Sequence, residues 1–176
     1  MTEFEVLSGM PAYGPHPEQF SAHVWNTHSD GFVVSVQPRD AEAWVGNFQR
    51  GLSSYDAAHL HPNSRDVVVV AGGQAYVVTP TSRRLIETFG ADIRWSHDIA
   101  EHGLLLLHNG LWFIAYGRDG RLWQSDRLSW DGIRGESISF PWLSGEAWTF
   151  DGDRWISFAL NLETGDVSGG SYPDPE

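Results

Sequence analysis

The closest pair among the eight histidines of the chain is His59 and His61. Residues two apart on a strand point to the same face, so both imidazoles would be available to one ion. Asp56 and Asp66 flank the pair, but the His-Glu-x-x-His spacing of helical metalloproteases does not occur. Pro62 follows at once and indicates a loop. The sequence therefore favours a structural role for these histidines: a metal-dependent enzyme is the third choice of function, and no cofactor is expected.

Two further patterns suggest hydrolytic chemistry. The run Ser96-His97-Asp98 holds the three residue types of a serine hydrolase. On a strand its histidine would point away from both neighbours, and a triad depends on mutual geometry rather than adjacency. The carboxylates of Glu136, Glu146 and Asp131 are candidates for a glycosidase pair, which needs a separation of roughly 5 or 6.5–9.5 Å. The sequence does not supply that distance.

Aromatic side chains are the strongest compositional feature, with nine Trp, nine Phe and five Tyr. Trp and Tyr combine a large contact area with a polar tip, which suits protein interfaces and platforms for sugar rings. Residues 144–176 also hold seven acids against one Arg, which is half of the net charge of -12. The predicted binding surface combines both features and consists of Trp130, Trp142, Glu146, Asp151, Asp153 and Trp155. The alternation of Trp148 with Phe150 is interpreted as core.

Short β-strands must position these residues, because helix signals are scarce. Apolar or alternating runs are separated by Gly, Asp, Asn and Pro along most of the chain. The predicted strands cover residues 32–36, 43–48, 66–71, 75–79, 85–88, 103–108, 111–116, 121–125, 147–150, 155–160 and 167–170. Two amphipathic stretches, residues 17–24 and 52–60, are predicted as helices of about two turns.

An internal repeat organises the strands. Three segments share one layout of strand, two-residue turn, strand, polar turn and strand, and a weaker copy lies at residues 32–48. The first turns are Gly72-Gly73, Asn109-Gly110 and Asp151-Gly152. Type I′ hairpins favour these dipeptides because both central residues need a positive φ. The second glycines are 37 and 42 residues apart, which is near the blade period of propeller proteins.

On this hairpin layout, residues 65–170 resemble bacterial β-propeller repeats of the quinoprotein-like or WD40-like kind. The resemblance implies an all-β fold of antiparallel hairpin or meander repeats, propeller-like and open or partial, with a curled sandwich as the alternative. Three or four blades are at or below the minimum of about four for a closed ring. A homo-oligomer in which several subunits complete the ring is therefore one of the alternatives. One domain is expected over residues 1–176, with an N-terminal extension (1–30), a weak first repeat (31–64), three repeats (65–170) and a tail (171–176).

Composition excludes several classes of function. The chain has 23 Asp plus Glu against 11 Arg and no Lys, which disfavours nucleic acid and anionic membranes as partners. Without Cys it has neither disulfides nor thiolate metal sites. The N-terminus lacks the basic region and apolar core of a signal peptide, and no apolar run approaches the about 20 residues of a spanning helix. A cytoplasmic location is therefore predicted.

Together these patterns predict a non-catalytic interaction module whose acidic, aromatic surface binds a basic protein. Bacterial immunity proteins, which are small and acidic and neutralise basic toxin domains, are the concrete example of this class. The alternative is a carbohydrate-binding or glycoside-acting domain that uses surface Trp and a carboxylate pair.

Overall fold

A computed structural model describes residues 2–22 and 31–172 of the chain. Within these ranges it contains sixteen β-strands and one short 3-10 helix, Ala100–His102. The strands are β1 Glu3–Leu7, β2 Glu18–Phe20, β3 Phe32–Gln37, β4 Trp44–Phe48, β5 Ala57–Leu60, β6 Val67–Ala71, β7 Gln74–Thr79, β8 Arg84–Phe89, β9 Trp95–Ile99, β10 Leu104–His108, β11 Phe113–Gly117, β12 Gly120–Gln124, β13 Ile133–Ser139, β14 Trp142–Thr149, β15 Arg154–Asn161 and β16 Val167–Gly169. The all-β prediction is confirmed. No helix in the described part of the chain is long and apolar enough to cross a membrane.

The strands form four sheets of four strands each. Three sheets are antiparallel meanders in chain order, namely β5 to β8, β9 to β12 and β13 to β16. The remaining sheet has the order β1-β3-β4-β2, and β2 runs parallel to β4. The chain divides into two compact units, Met1–Arg94 and Trp95–Glu176, each of which contains two of the sheets.

Each unit has one hydrophobic core to which both of its sheets contribute. In the first unit Phe48 from β4 and Tyr76 from β7 belong to the same buried cluster. In the second unit Phe113 from β11 and Phe158 from β15 belong to one buried cluster, and their rings are in contact. Burial of such large aromatic surfaces is the main term that holds paired sheets together.

A tryptophan links the two sheets in each unit. In the first, the indole Nε1 of buried Trp44 donates to the carbonyl oxygen of Pro80 at 2.9 Å, just after β7. In the second, Nε1 of Trp123 donates to the carbonyl oxygen of Leu162 at 3.1 Å, just after β15. The same link is therefore made twice, each time to the residue that follows the third strand of the neighbouring sheet.

Five strands were not predicted from the sequence, namely β1, β2, β5, β9 and β13. The helix predictions are wrong: residues 18–20 form β2, residues 57–60 form β5, and residues 23–24 lie outside the described part of the chain. All five missed strands are short or lie at a sheet edge and are largely exposed or half-buried. An edge strand is held by backbone hydrogen bonds to one neighbour, so its side chains need not show an apolar pattern.

Only the first of the three predicted two-residue turns is confirmed. Gly72-Gly73 joins β6 to β7 with φ of 52° and 85°. The other two connections are four-residue loops, 109–112 and 150–153. In the first loop the side-chain oxygen of Asn109 accepts from the backbone N–H of Leu111 at 3.0 Å, which replaces the turn with an Asx-type loop. In the second, the positive φ values fall on Gly152 and Asp153, one residue later than predicted.

A buried carboxylate closes the connection between β5 and β6. Asp66 is 2% exposed and accepts from Thr79 Oγ1 at 2.7 Å and Asn63 Nδ2 at 2.7 Å, and from Arg65 Nη2 at 3.1 Å. Burial raises the pKa of Asp66, but the hydrogen bonds from Arg65, Thr79 and Asn63 outweigh it, and its pKa is lowered overall. A lowered folded-state pKa means that the ionised carboxylate stabilises the native state.

We expect Asp66→Asn to lower the free energy of unfolding at pH 7 by about 2 kcal/mol, because the buried network loses its charge and one of its two acceptor oxygens, and the amide NH2 in that place faces other donors. The stabilisation by Asp66 is complete above its ordinary pKa of 3.8 and is lost as the pH falls through the lower, folded-state value. Denaturant titrations between about pH 5 and pH 2 should therefore show a shallower loss of stability in the variant than in the wild type.

Asp166 provides the matched control for this experiment. It accepts from Thr164 Oγ1 at 2.7 Å in the turn between β15 and β16, but it is exposed. Asp166→Asn should therefore change the free energy of unfolding by less than about 0.5 kcal/mol. Equal effects of the two substitutions would contradict the assignment of Asp66 as a buried hub.

Candidate functional site

The last sheet has one face in the core and one face toward solvent. Leu143, Ala147 and Phe158 point into the core of the second unit. Because side chains alternate along a strand, the residues between them share the opposite face. This outer face carries Arg134, Ser137, Ser139, Trp142, Ser144, Glu146, Trp148, Trp155, Ser157 and Ser168. Every one of these residues is exposed or half-buried, so the face combines aromatic rings with short hydroxyl side chains.

Trp155 lies at the centre of a charge-and-ring arrangement on the outer face. Arg134 and Glu146 are directly opposite each other on β13 and β14, and Arg134 Nε donates to Glu146 Oε2 at 2.9 Å. The Arg134 guanidinium carbon also lies 4.0 Å from the centroid of the Trp155 ring. The edge of the ring rests over Gly132, where an added Cβ would be 3.3 Å from the indole. Glu146 thus holds the arginine in place over the indole, and Gly132, which has no Cβ, leaves room for the edge of the ring.

Trp148 is fixed beside Trp155 by the following loop. The two tryptophans are paired across β14 and β15. Trp148 Nε1 donates to Asp153 Oδ1 at 2.9 Å, and Asp153 adopts a positive φ of 43°. Asp153 therefore acts as the hydrogen-bond partner that orients an indole on the outer face. The interpretation of Trp148 and Phe150 as core residues is wrong, because the core positions of β14 are the alternate ones, Leu143 and Ala147.

A second group of rings, the ring cluster, consists of Arg127, Trp130, Phe150 and Tyr172. Trp130 is 45% exposed and Phe150 is 74% exposed, and their ring centroids are 6.4 Å apart. Tyr172 stacks on Trp130 with centroids 5.3 Å apart and an interplanar angle of 22°. The Arg127 guanidinium carbon lies 5.2 Å from the Tyr172 centroid. The backbone N–H of Trp130 donates to the carbonyl oxygen of Trp148 at 3.1 Å, so the ring cluster adjoins the outer face.

The structure thus brings together four of the six predicted binding residues. Glu146, Asp153 and Trp155 belong to the outer-face arrangement, and Trp130 belongs to the adjoining ring cluster. Trp142 is 49% exposed but begins β14, six residues and roughly 20 Å from Trp148. Asp151 lies in the exposed loop 150–153, with Arg154 Nη2 3.8 Å from its Oδ2.

The acidic excess of the last repeat is divided between two places. Asp151 and Asp153 are in the loop between β14 and β15, whereas Glu163 and Asp166 are in the turn at the opposite end of β15. Eight strand residues separate the two groups by roughly 25 Å. Asp174 and Glu176 lie outside the described residues. Around the rings, in residues 126–134 and 146–154, five acids and three Arg leave a net charge of -2.

The sequence-based metal candidates are placed at the end of β5. His59 is in the strand and half-buried, and His61 is buried just beyond it. Burial lowers the pKa of His61, and its Nδ1 accepts from the backbone N–H of Asn63 at 3.1 Å. No group of three or more His, Asp or Glu side chains that could hold a metal ion is found in residues 2–22 and 31–172. Within the pair, Nδ1 of His61 already accepts the hydrogen bond from the loop residue Asn63.

Two of the three carboxylates considered for glycoside cleavage, Glu136 and Glu146, have separate partners. Glu136 Oε1 is 2.9 Å from Nε2 of buried His108, and this hydrogen bond lowers the pKa of Glu136. A catalytic acid needs a raised pKa instead. Nδ1 of His108 accepts from the backbone N–H of Gly110 at 3.0 Å, so both ring nitrogens are engaged. Glu146 is bound to Arg134.

The three-residue run at 96–98 lies in β9, where the buried Ser96 and the exposed His97 point to opposite faces, as expected.

Five residues of the site were not selected from the sequence, namely Arg127, Arg134, Trp148, Phe150 and Tyr172. The alternation of large or polar side chains at positions 142, 144, 146, 148 and 150 is the signal that could have identified Trp148. Arg134 could not be found in this way, because β13 was not predicted and its pairing with Glu146 depends on the sheet register.

No protein-family model matches the chain, and a comparison with curated proteins gives no match. The function proposed below therefore rests on the arrangement of the outer face and the ring cluster.

Proposed function

We propose that the protein is a non-catalytic binding module that attaches to another protein through the outer face of its last sheet and the adjoining ring cluster. The observation that carries the proposal is the fixed geometry of two half-buried rings on the outer face, Trp148 and Trp155. Trp155 lies beneath Arg134, which is bound to Glu146, and Trp148 is bound to Asp153. Rings that are ordered before binding lose little conformational entropy in a complex.

The tryptophans, the tyrosine and the arginines of this surface are residue types typical of interfaces. Trp, Tyr and Arg are enriched among the residues that contribute most to protein–protein affinity, and Lys is depleted. The surrounding serines are short, so they allow a partner to approach the rings closely. A sheet face of this kind accepts a flat protein surface and does not enclose a small molecule.

The partner that fits the charges is a basic protein. The chain carries a net charge of -12, and the exposed acids of the loop 150–153 lie next to the rings. Complementary charge accelerates association and gives specificity. Neutralisation of a basic toxin domain, as performed by bacterial immunity proteins, is the specific function that we infer from these properties.

Calorimetric titration against a panel of purified basic nuclease toxin domains tests the proposal. A complex is expected whose affinity falls by about an order of magnitude when the salt concentration is raised from about 0.05 to 0.5 M. The exposed Tyr13 of the first unit, replaced in Tyr13→Ala, provides a surface variant that should bind as the wild type does. Binding of oligosaccharides in the same assay, without binding of any basic domain, would favour the carbohydrate alternative and contradict the proposal.

A further inference from the structure

The end of the described chain crosses the ring cluster and is held there by backbone contacts. The N–H of Gly170 donates to the carbonyl oxygen of Ser157 at 3.0 Å, and the N–H of Ser171 donates to that of Leu128 at 2.8 Å. Ser171 Oγ also donates to the carbonyl oxygen of Trp148 at 2.7 Å. These three bonds guide the segment to the side of the ring cluster, and they place the next residue, Tyr172, on Trp130.

Tyr172 makes the contacts that a bound aromatic ligand would make. Its ring stacks on Trp130 at 5.3 Å with an angle of 22°, and the Arg127 guanidinium carbon is 5.2 Å from the Tyr172 centroid and 5.8 Å from that of Trp130. Arg127 is itself held in position, because its Nε and Nη2 donate to the carbonyl oxygens of Ser129 and Trp130 at 3.0 and 2.9 Å. The arginine beside Trp130 is therefore held by bonds that do not involve the tyrosine.

We propose that Trp130 and Arg127 form a binding site for an aromatic side chain, that Tyr172 of the same chain occupies it, and that a tyrosine of the bound protein displaces Tyr172. This inference rests on the proposed function and adds the chemistry of the partner. Stacked rings and a guanidinium favour an electron-rich ring with a polar tip, and both properties are met by tyrosine. Tyr172 then competes with the partner's tyrosine for the site, which raises the apparent dissociation constant of the partner.

The ring site can be tested without the partner by nuclear magnetic resonance. The indole N–H signal of Trp130 is assigned from its disappearance in Trp130→Phe. Removal of the stacked ring in Tyr172→Ala should shift this signal, whereas Tyr13→Ala, which removes a 93% exposed tyrosine of the first unit, should leave it unchanged. An unchanged Trp130 signal in Tyr172→Ala would overturn the proposal.

Titration with N-acetyl-L-tyrosinamide then measures the competition. Removal of one stacked aromatic pair should make the dissociation constant of Tyr172→Ala about three- to tenfold lower than that of the wild type. The response is followed on the backbone amide signals of residues 127–130, which remain observable without the indole, and the double variant Tyr172→Ala/Trp130→Ala should lose the saturable response. Equal dissociation constants for the wild type and Tyr172→Ala would overturn the proposal. Because the probe is a small molecule, the result is independent of whether any basic protein binds.

With a basic domain that binds, the same variant separates two roles of Tyr172. Displacement predicts that Tyr172→Ala binds the domain about three- to tenfold more tightly than the wild type. Weaker binding by the variant would show that Tyr172 is part of the docking surface, which contradicts displacement and leaves the proposed function intact.

Discussion

Trp44→Ala is expected to lower the free energy of unfolding of the first unit by about 4 kcal/mol, as is typical of large aromatic residues removed from a core. Trp44 is 5% exposed and packs against Phe20 with ring centroids 5.8 Å apart. Its loss removes both buried apolar area and the hydrogen bond to Pro80 that joins the two sheets. Equilibrium denaturation in urea measures the change.

Trp44→Phe separates the two contributions, because it keeps a ring and removes the indole donor. The carbonyl oxygen of Pro80 then loses its partner, so a cost of about 1–2 kcal/mol is expected beyond the lost area. Trp142→Ala provides the control, since that side chain is 49% exposed. A loss for Trp142→Ala as large as that for Trp44→Ala would contradict the distinction between a linking tryptophan and a surface tryptophan.

Trp155→Ala is expected to weaken binding of the basic partner by about 2 kcal/mol, or roughly 30-fold. The substitution removes the ring over which the Arg134 guanidinium is placed, and with it the centre of the outer face. Calorimetric titration measures the affinity, and near-ultraviolet circular dichroism verifies that the variant is folded.

Arg134 gives an independent test of the same arrangement. Arg134→Lys keeps the charge but loses the planar group that both stacks on Trp155 and donates to Glu146. We therefore expect Arg134→Lys to weaken binding about tenfold, and nearly as much as Arg134→Ala. If Arg134→Lys bound the partner as tightly as the wild type, the positive charge alone would be sufficient for binding. That result would contradict the role assigned to the stacking of the guanidinium on Trp155.

Strands with a strong apolar pattern were predictable from the sequence. Every residue of β6 and β10 is buried, which explains why these strands appear as continuous runs of Val and Leu. The turns that connect the strands were less predictable from the sequence, since only Gly72-Gly73 forms the predicted two-residue turn. Loop length at 109–112 and 150–153 depends on side-chain hydrogen bonds to the backbone, and a dipeptide rule does not include them.

The candidate site was predictable in composition and only partly in geometry. Trp130, Glu146, Asp153 and Trp155 were selected because aromatic and acidic residues accumulate near the end of the chain. Their arrangement depends on β13, whose exposed sequence shows no apolar alternation over its full length. The positions of Arg127 and Arg134 beside the rings therefore had no signal in the sequence.

The sequence suggested one acidic surface near the end of the chain, whereas in the structure the acids lie apart and two of them are hydrogen-bond partners of other side chains. The five acids of residues 144–172, which the structure describes, do not form one continuous face, because four of them are divided between the two ends of β15. Beside the rings, Glu146 and Asp153 are partners of Arg134 and Trp148. Their first role is to fix the surface, and in the function that we propose the attraction of a basic partner comes from the other exposed acids and the net charge.

Hydroxyl-radical footprinting of the complex with a basic partner is the most direct test of the outer face as the docking surface. Oxidation of Trp130, Trp142 and Phe150 is expected to fall on binding, because all three rings are exposed in the free protein. Tyr13, which is exposed in the first unit, should be oxidised equally in both states. Unchanged oxidation of the three rings, or protection confined to Tyr13, would contradict the proposed binding surface.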